Sequence, residues 1–145
     1  MLSSSSYPAA AAAVQRFVVA TRGPSPEVYV FDLTKHPSFP QADAPFAPQG
    51  VCVGHEKEGY SMVWSPHQEG LLATGSEDAT VKLWDVKSCY ASKSKPGEQI
   101  KPTRSFSGHT DTVEDVDWHP KDAVSCSDFP HKKPDFLEAK SNSLP

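Results

Sequence analysis

This 145-residue sequence has few cysteines, no long apolar run and no cluster of basic residues. Its three cysteines (Cys52, Cys89 and Cys126) are odd in number and widely spaced, which excludes a disulfide framework or a CxxC motif and favours a reducing compartment. No apolar run approaches the roughly 20 residues that a transmembrane helix needs. The net charge of −4, without a concentrated basic patch, argues against a nucleic-acid surface and is compatible with a basic partner.

The N-terminus lacks the basic segment of a secretory signal, since MLSSSSYPAAAAAVQRF reaches its alanines without a lysine or arginine. Its Ser/Ala content, with the first acidic residue at Glu27, faintly resembles an organelle transit peptide, but a low-complexity leader over residues 1–16 is the simpler explanation. The 14 prolines are about twice the average rate, and 37% hydrophobic residues is below the usual globular share. This composition predicts a folded middle with disordered ends.

An internal repeat organises the folded part. Val18–Asp32 (VVATRGPSPEVYVFD) aligns with Leu71–Asp85 (LLATGSEDATVKLWD) at an offset of 53. Gly54–Pro66 (GHEKEGYSMVWSP) aligns with Gly108–Pro120 (GHTDTVEDVDWHP) at an offset of 54, with Gly, His, Trp and Pro in common. Because two independent segments show nearly the same period, we expect a repeat architecture in which each unit stacks on its neighbours.

The complete unit is predicted to contain four short strands. Tyr60–Trp64 begins one, Gly70–Thr74 forms a second, and Thr80–Val86 alternates apolar and polar residues as a third. An acidic turn joins the last two into a hairpin, and an outer strand is predicted over Thr103–Phe106. The intervening Lys87–Pro102 is too rich in Ser, Lys, Pro and Gly for regular structure. Four antiparallel strands per unit predict an all-β fold built from β-propeller blades.

The Gly-His and the closing Trp-Asp of this unit, about 30 residues apart, resemble the WD40 signature. In that family a His, a Ser or Thr, a turn Asp and a Trp share a buried hydrogen-bond network, and the matching residues here are His55, Thr74 (or Ser76), Asp78 and Trp84. A closed network would satisfy every buried polar group. We therefore expect a structural role rather than a catalytic Ser-His-Asp site, because no nucleophile elbow such as GxSxG is present.

The flanking units depart from this signature. In the first, Ser25 stands at the turn Asp position and Phe31 at the Trp position, so apolar packing must replace the network. A third unit opens with His109, but after Lys121 we expect no second strand, and the Pro, Ser and Lys content predicts disorder. The predicted segments are a leader (1–16), a partial blade with its connecting loop (17–49), a complete blade (50–107), the start of another (108–122) and a divergent tail (123–145). Open terminal sheets would make such a partial propeller marginally stable in isolation.

Two features extend the resemblance to one group of WD40 proteins. Phe17–Ser38 (FVVATRGPSPEVYVFDLTKHPS), with the KEGY and VEDV motifs at 57–60 and 113–116, is similar to the histone-binding family. That family includes the retinoblastoma-associated histone chaperones, the small subunit of chromatin assembly factor and the second subunit of type B histone acetyltransferases. The resemblance covers about Phe17 to Asp122. It implies a truncated part of a seven-bladed ring whose acidic top holds basic tails, including the H3 N-terminus, within chromatin assembly or histone-modifying complexes.

The resemblance places Glu58, Tyr60 and Glu114 on this top face as contacts for a histone tail. A residue just before the innermost strand lies where several loops converge, and there a carboxylate can bind Arg or Lys while a tyrosine ring stacks on either. The carboxylates of Glu58 and Glu114, on adjacent blades, would add their fields. The alternative is that these are ordinary solvated loop residues.

Other functions compete with histone binding. TVKLWDVKS (80–88) resembles the WDxR box of ubiquitin-ligase adaptors, but Lys87 replaces the Arg and cannot form its bidentate contact. A signalling scaffold, or a truncated product without stable function, is a further alternative. A zinc cluster would need five residues whose spacing matches no usual finger: Cys52, His55, His119, Cys126 and His131. The sequence thus predicts a non-enzymatic interaction module without cofactor, direct nucleic-acid contact or membrane segment, in the nucleus or alternatively the cytosol.

Overall fold

The structure, a computed structural model, describes residues 17–37, 39, 42–90, 94–119, 124–128 and 135–137. The predicted leader (1–16) and most of the predicted tail lie outside these residues. The described residues form three sheets. The strands are β1 Val18–Arg22, β2 Val28–Asp32, β3 Gly50–Cys52, β4 Met62–Trp64, β5 Leu71–Gly75, β6 Thr80–Asp85, β7 Glu98–Ile100, β8 Arg104–Ser107, β9 Val113–Trp118, β10 Val124–Asp128 and β11 Asp135–Leu137. Within this part of the chain, no helix is long and apolar enough to cross a membrane.

The middle sheet is the complete four-stranded blade that the sequence predicts. Its order is β4-β5-β6-β8, with every neighbouring pair antiparallel and with Leu72 opposite Trp84. The predicted turn joins β5 to β6. In this turn Ala79 takes a positive φ of 61°, and the Asp78 carboxylate accepts a hydrogen bond from the Thr80 amide at 2.9 Å. The short aspartate side chain thereby closes a tight turn, which brings β5 and β6 into register.

The first sheet is a partial blade completed by a strand that was not predicted. β1, β2 and β3 are antiparallel neighbours, and β7 pairs with β3 in parallel, with Cys52 opposite Ile100. The prediction that Lys87–Pro102 lacks regular structure is therefore wrong at both described ends, because Lys87–Tyr90 forms a 3₁₀ helix and Glu98–Ile100 forms β7. A strand this short has no recognisable pattern of its own, and it depends on the edge of β3 for its partner.

The sheets do not begin and end where the sequence units do. Gly50–Cys52 stands at the start of the unit assigned to residues 50–107, yet it pairs with β2 in the first sheet. The third strand of the first sheet is thus supplied by the first residues of the next unit. The boundary at residue 50 is therefore spanned by backbone hydrogen bonds, which fasten the first sheet to the chain of the next unit.

The third sheet continues beyond the point where the sequence pattern ends. β9 pairs with β10, with Trp118 opposite Val124, and β10 pairs with β11. The prediction that no second strand follows Lys121 is therefore wrong, and residues 124–128 and 135–137 are strands where the composition predicts disorder. The backbone N–H and C=O groups at the edge of β9 can form hydrogen bonds with the backbone of a short segment. This pairing does not depend on the side chains of that segment.

Two apolar clusters hold the three sheets together, one on each face of the middle sheet. Leu72 and Trp84 face the first sheet, and Ala73 and Leu83 face the third, as the alternation of a strand requires. The cluster between the first and middle sheets contains Val28, Val30, Cys52, Leu72, Trp84, Val86, Cys89, Tyr90 and Ile100. The cluster between the middle and third sheets contains Ala73, Val81, Leu83, Val113, Val116 and Trp118. The connection between β6 and β8 is part of this core, since four of these residues lie in it: Val86, Cys89, Tyr90 and Ile100.

The outer face of the first sheet is apolar and partly open. The rings of Tyr29 and Phe31 both contact the ring of Phe46, with centroid distances of 5.1 and 5.6 Å. Phe46 nevertheless remains 70% exposed and Val19 38% exposed. The sheet that lacks the polar network therefore relies on aromatic packing, and it leaves apolar surface exposed as expected for a terminal sheet.

Candidate functional site

The residues predicted for the hydrogen-bond network meet at one end of the middle sheet. His55 precedes β4, Thr74 lies in β5, and Trp84 lies in β6. The Trp84 indole donates to Thr74 Oγ1 at 2.8 Å, and the same oxygen lies 2.8 Å from His55 Nε2. His55 Nδ1 lies 2.9 Å from Asp78 Oδ2 in the β5–β6 turn. Four of the five predicted residues thus form one continuous chain of hydrogen bonds. It links the segment before β4, the strands β5 and β6, and the turn between those two strands.

Burial keeps the His55 imidazole neutral, and this decides which atoms of the chain donate hydrogen bonds and which accept them. Burial lowers the pKa of His55 to about 4 despite the opposing effect of Asp78, so the imidazole is neutral at pH 7. A neutral ring has one donor and one acceptor, and here Nδ1–H donates to Asp78 while Nε2 accepts the hydroxyl hydrogen of Thr74. Burial alone would raise the pKa of Asp78, but hydrogen bonds from Thr80, a backbone amide and His55 hold that pKa at about 2. The chain therefore ends on an ionised carboxylate.

Ser76, the alternative network residue, lies outside this chain. Its hydroxyl hydrogen points to the carbonyls of Lys57 and Glu58, at 2.9 and 2.8 Å. Its oxygen accepts from the Asp78 amide at 3.2 Å, and the Glu77 amide donates to the Glu58 carbonyl at 2.9 Å. These bonds tie the segment before β4 to the β5–β6 turn, so the KEGY motif and the turn form one surface.

Two of the three residues predicted to contact a histone tail lie together on this surface. Tyr60 and Glu114 line an open depression of about 430 Å³ where the ends of the middle and third sheets meet. The depression is completed by Glu77 from the turn and by Asp111 and Thr112, which precede β9. The Tyr60 side chain is 76% exposed. An accessible aromatic ring thus lies beside three carboxylates from two sheets.

Glu58, the third predicted residue, is half-buried and is not among the residues that line the depression. Arg22, the last residue of β1, reaches the backbone of the same KEGY motif. Burial lowers the pKa of the Arg22 guanidinium, and the charges of Asp78 and Glu58 oppose that effect. Arg22 donates through Nη1 to the Gly75 carbonyl and through Nη2 to the Lys57 carbonyl, the latter at 3.3 Å. Glu58 therefore lies outside the depression, next to the backbone contact that Arg22 makes between the first and middle sheets.

Asp111, Glu77 and Arg22 are site residues that the motifs did not indicate. The repeat contains a signal for Asp111, because an offset of 54 relates positions 57 and 60 to positions 111 and 114. Tyr60 and Glu114 are consequently equivalent positions of neighbouring units, and both line the depression. Glu77 and Arg22 carry no comparable signal, because their roles depend on contacts between sheets.

The described residues give no support to the zinc alternative. Among them, no three His, Cys, Asp or Glu side chains are grouped so that they could hold a metal ion. Cys52 and Cys89 are free thiols buried between the sheets, and burial raises the pKa of Cys52 to about 12 and that of Cys89 to about 11. Thiols kept protonated in this way are poor nucleophiles and poor metal ligands. His55, a third member of the zinc set, is already hydrogen-bonded through both ring nitrogens.

Comparison with known families agrees with the blade architecture. The family described as "WD domain, G-beta repeat" matches residues 46–85 and 100–129. This chain contains WD40 repeats. In its WD40 repeats the buried chain from Trp84 to Asp78 stabilises the complete blade, and the depression lies where two consecutive repeats meet.

Three relatives define the group of WD40 proteins that this chain resembles. It is 47% identical over 103 residues to "Probable histone-binding protein rba-1" of Caenorhabditis elegans, covering 71% of this chain and 24% of that protein. It is 43% identical over 103 residues to "Histone acetyltransferase type B subunit 2" of Aspergillus fumigatus, covering 71% of this chain and 22% of that protein. It is 40% identical over 102 residues to the protein of the same name from Mycosarcoma maydis, covering 70% of this chain and 23% of that protein. The resemblance to histone-binding WD40 proteins is confirmed, and the chain spans less than a quarter of these curated relatives.

Proposed function

We propose that this WD40 chain is a non-enzymatic module that binds a basic histone tail, with the N-terminal tail of H3 as the first ligand to test. The observation that carries the proposal is the depression in which the exposed Tyr60 ring lies beside the carboxylates of Glu77, Asp111 and Glu114. The names of the three relatives refer to histone binding and to a histone acetyltransferase, which supports this ligand class over a ubiquitin-ligase partner. A nuclear location and association with chromatin complexes are part of the same proposal.

The chemistry of the depression suits a lysine or arginine side chain. Carboxylates accept strong charge-assisted hydrogen bonds, in bidentate form from a guanidinium, and the face of a tyrosine ring attracts a cation. Within the described part of the chain, no Lys or Arg forms an ion pair with Glu77, Asp111 or Glu114. Their negative charge is therefore available to a ligand. Because three like charges also repel one another, a bound cation relieves that repulsion as well as forming new contacts.

Isothermal titration calorimetry of the chain with a synthetic H3 N-terminal peptide tests the proposal. We expect binding that weakens as salt is added, because the contacts are largely ionic. Tyr60→Leu and Glu114→Gln should each weaken binding roughly 5- to 20-fold, equivalent to about 1–2 kcal/mol.

Glu69→Gln is the matched control, since it removes the same charge from an exposed residue in the β4–β5 connection, at the opposite end of the middle sheet. Its effect on affinity should stay within about twofold. The absence of binding by the wild-type chain would refute the proposal. An effect of Glu69→Gln as large as that of Glu114→Gln would also refute it, because attraction would then depend on net charge rather than on the depression.

A further inference from the structure

The end of β5 lies where all three sheets meet, at Gly75. The Gly75 carbonyl accepts a hydrogen bond from the Arg22 guanidinium of the first sheet, and the Gly75 amide donates to the Ser61 carbonyl just before β4 at 3.0 Å. A Cβ atom at position 75 would lie 2.6 Å from a side-chain carbon of Val113 and 3.0 Å from one of Val116, both in β9. Gly75 therefore contacts the first and third sheets at once, and a side chain at this position would push β9 away.

The KEGY motif is tied to the same place through its backbone. Arg22 and Ser76 both donate to the Lys57 carbonyl, at 3.3 and 2.9 Å. The following carbonyl, that of Glu58, accepts from the Ser76 hydroxyl at 2.8 Å and from the Glu77 amide at 2.9 Å. These hydrogen bonds join the first sheet to the KEGY motif and to the β5–β6 turn, each of which supplies a residue that lines the depression.

Gly59 provides the space that the Arg22 guanidinium needs. A Cβ atom at Gly59 would lie 2.6 Å from Arg22 Nη1 and 2.3 Å from the Gly75 carbonyl oxygen, and both distances are too short for any side chain. The guanidinium is therefore packed directly against the backbone that leads into Tyr60. The contact between Arg22 and the KEGY motif is thus built from backbone groups and needs no carboxylate.

The β5–β6 turn also fixes the start of β9. The Val113 amide donates to the Ser76 carbonyl at 3.0 Å, and the Ser61 hydroxyl donates to the Val113 carbonyl at 3.5 Å. Thr112 and Glu114, the two neighbours of Val113 in the chain, both line the depression. The side of the depression that belongs to the third sheet is therefore held by the same turn that Arg22 contacts.

We propose that Arg22 is a positioning residue for the tail site: by bridging the Lys57 and Gly75 carbonyls, it holds the KEGY motif against the β5–β6 turn, so that the depression is formed before the ligand binds. This inference rests on the proposed tail binding. Arg22 is not among the residues that line the depression, and it acts through the backbone that carries Tyr60 and Glu77. Such preorganisation raises affinity, because no binding free energy is lost in ordering these segments.

The dissociation constant of the H3 peptide separates positioning from charge by the direction of its change. Arg22→Met makes the chain more negative, and charge alone would therefore tighten the binding of a basic peptide. Positioning predicts the opposite. Arg22→Met should weaken binding about fivefold, and Arg22→Lys, whose ammonium group can still donate to one of the two carbonyls, about twofold. Unchanged or tighter binding by Arg22→Met would overturn the inference.

Two controls exclude the loss of a ligand contact and a general loss of stability. Binding by Arg22→Met should depend on salt as strongly as binding by the wild-type chain, because the ionic contacts remain, whereas Glu114→Gln should show a smaller salt dependence. Val86→Ala truncates a buried side chain at the opposite end of the blade, so it should lower the melting temperature and change the dissociation constant by less than about twofold. A smaller salt dependence in Arg22→Met, or an equal loss of affinity in Val86→Ala, would contradict positioning by Arg22.

Amide hydrogen exchange of the free chain tests the positioning without any ligand. The Glu77 and Val113 amides are hydrogen-bonded at the border of the depression and should exchange at least about fivefold faster in Arg22→Met. The Val86 amide, at the opposite end of the blade, should exchange at an unchanged rate. Equal acceleration at all three amides, or at none of them, would overturn the inference. Faster exchange at Glu77 and Val113 combined with no peptide binding by the wild-type chain would instead refute the tail-binding function and leave the positioning by Arg22 standing.

Discussion

Replacing Thr74 by valine would remove the centre of the hydrogen-bond chain while almost preserving the volume of the side chain. Two groups would lose their partner, the Trp84 indole N–H and His55 Nε2. Water cannot replace the hydroxyl, because Thr74 and Trp84 are 0% exposed. Each unsatisfied buried polar group costs about 1–3 kcal/mol, so the loss of two partners should lower the free energy of unfolding by about 2–6 kcal/mol. At roughly 4 °C per kcal/mol, the melting temperature should drop by roughly 8–24 °C.

Thermal and urea unfolding followed by circular dichroism measure this effect, with Thr21→Val as the matched control. Thr21 is the equivalent residue of the first sheet and is exposed, so its replacement should change the free energy of unfolding by less than about 0.5 kcal/mol. Trp84→Phe combined with Thr74→Val should destabilise by less than the sum of the single changes, because both remove the same hydrogen bond. Equal effects of Thr74→Val and Thr21→Val would refute a stabilising role for the chain.

Two further predictions concern pH and the connection between sheets. The pKa of His55 is lowered from 6.5 to about 4, so the unfolded state binds more protons than the folded state in this range. The free energy of unfolding should therefore fall as the pH is lowered from about 6.5 to 4. The low pKa of Asp78 extends this loss below pH 4. The free energy of unfolding of His55→Gln should depend less on pH above about pH 4 than that of the wild-type chain. An equal dependence on pH in the two proteins would contradict this prediction. Ile100→Ala should destabilise by about 2–4 kcal/mol, because it leaves a cavity between the first and middle sheets. Gln99→Ala, on the exposed side of β7, should cost less than about 0.5 kcal/mol, and equal losses would show that β7 is not part of the core.

The strands of the middle sheet could be predicted because their signals are local. Alternating residues in Thr80–Val86, the acidic turn and the repeat with Val18–Asp32 all lie within short segments, and the structure has strands at these places. β7 and β10 could not be predicted in the same way. Glu98–Ile100 and Val124–Asp128 lie among Pro, Lys and Ser residues, and each becomes a strand by pairing with the edge of β3 or β9. Edge pairing uses backbone groups that every residue possesses, so the side chains carry little trace of it.

The sequence by itself determined the blade and its polar chain, because His55, Thr74, Asp78 and Trp84 act within one repeat whose strand spacing brings them together. Only the tertiary structure decided which acidic residues line one depression. Stacking of the sheets brings Arg22 to the segment that carries Glu58 and Glu77, and it gathers Tyr60 and Glu114 around one depression. Contacts of this kind join residues about 50 positions apart on different sheets, and the distance between them depends on apolar packing of the sheets rather than on spacing along the chain.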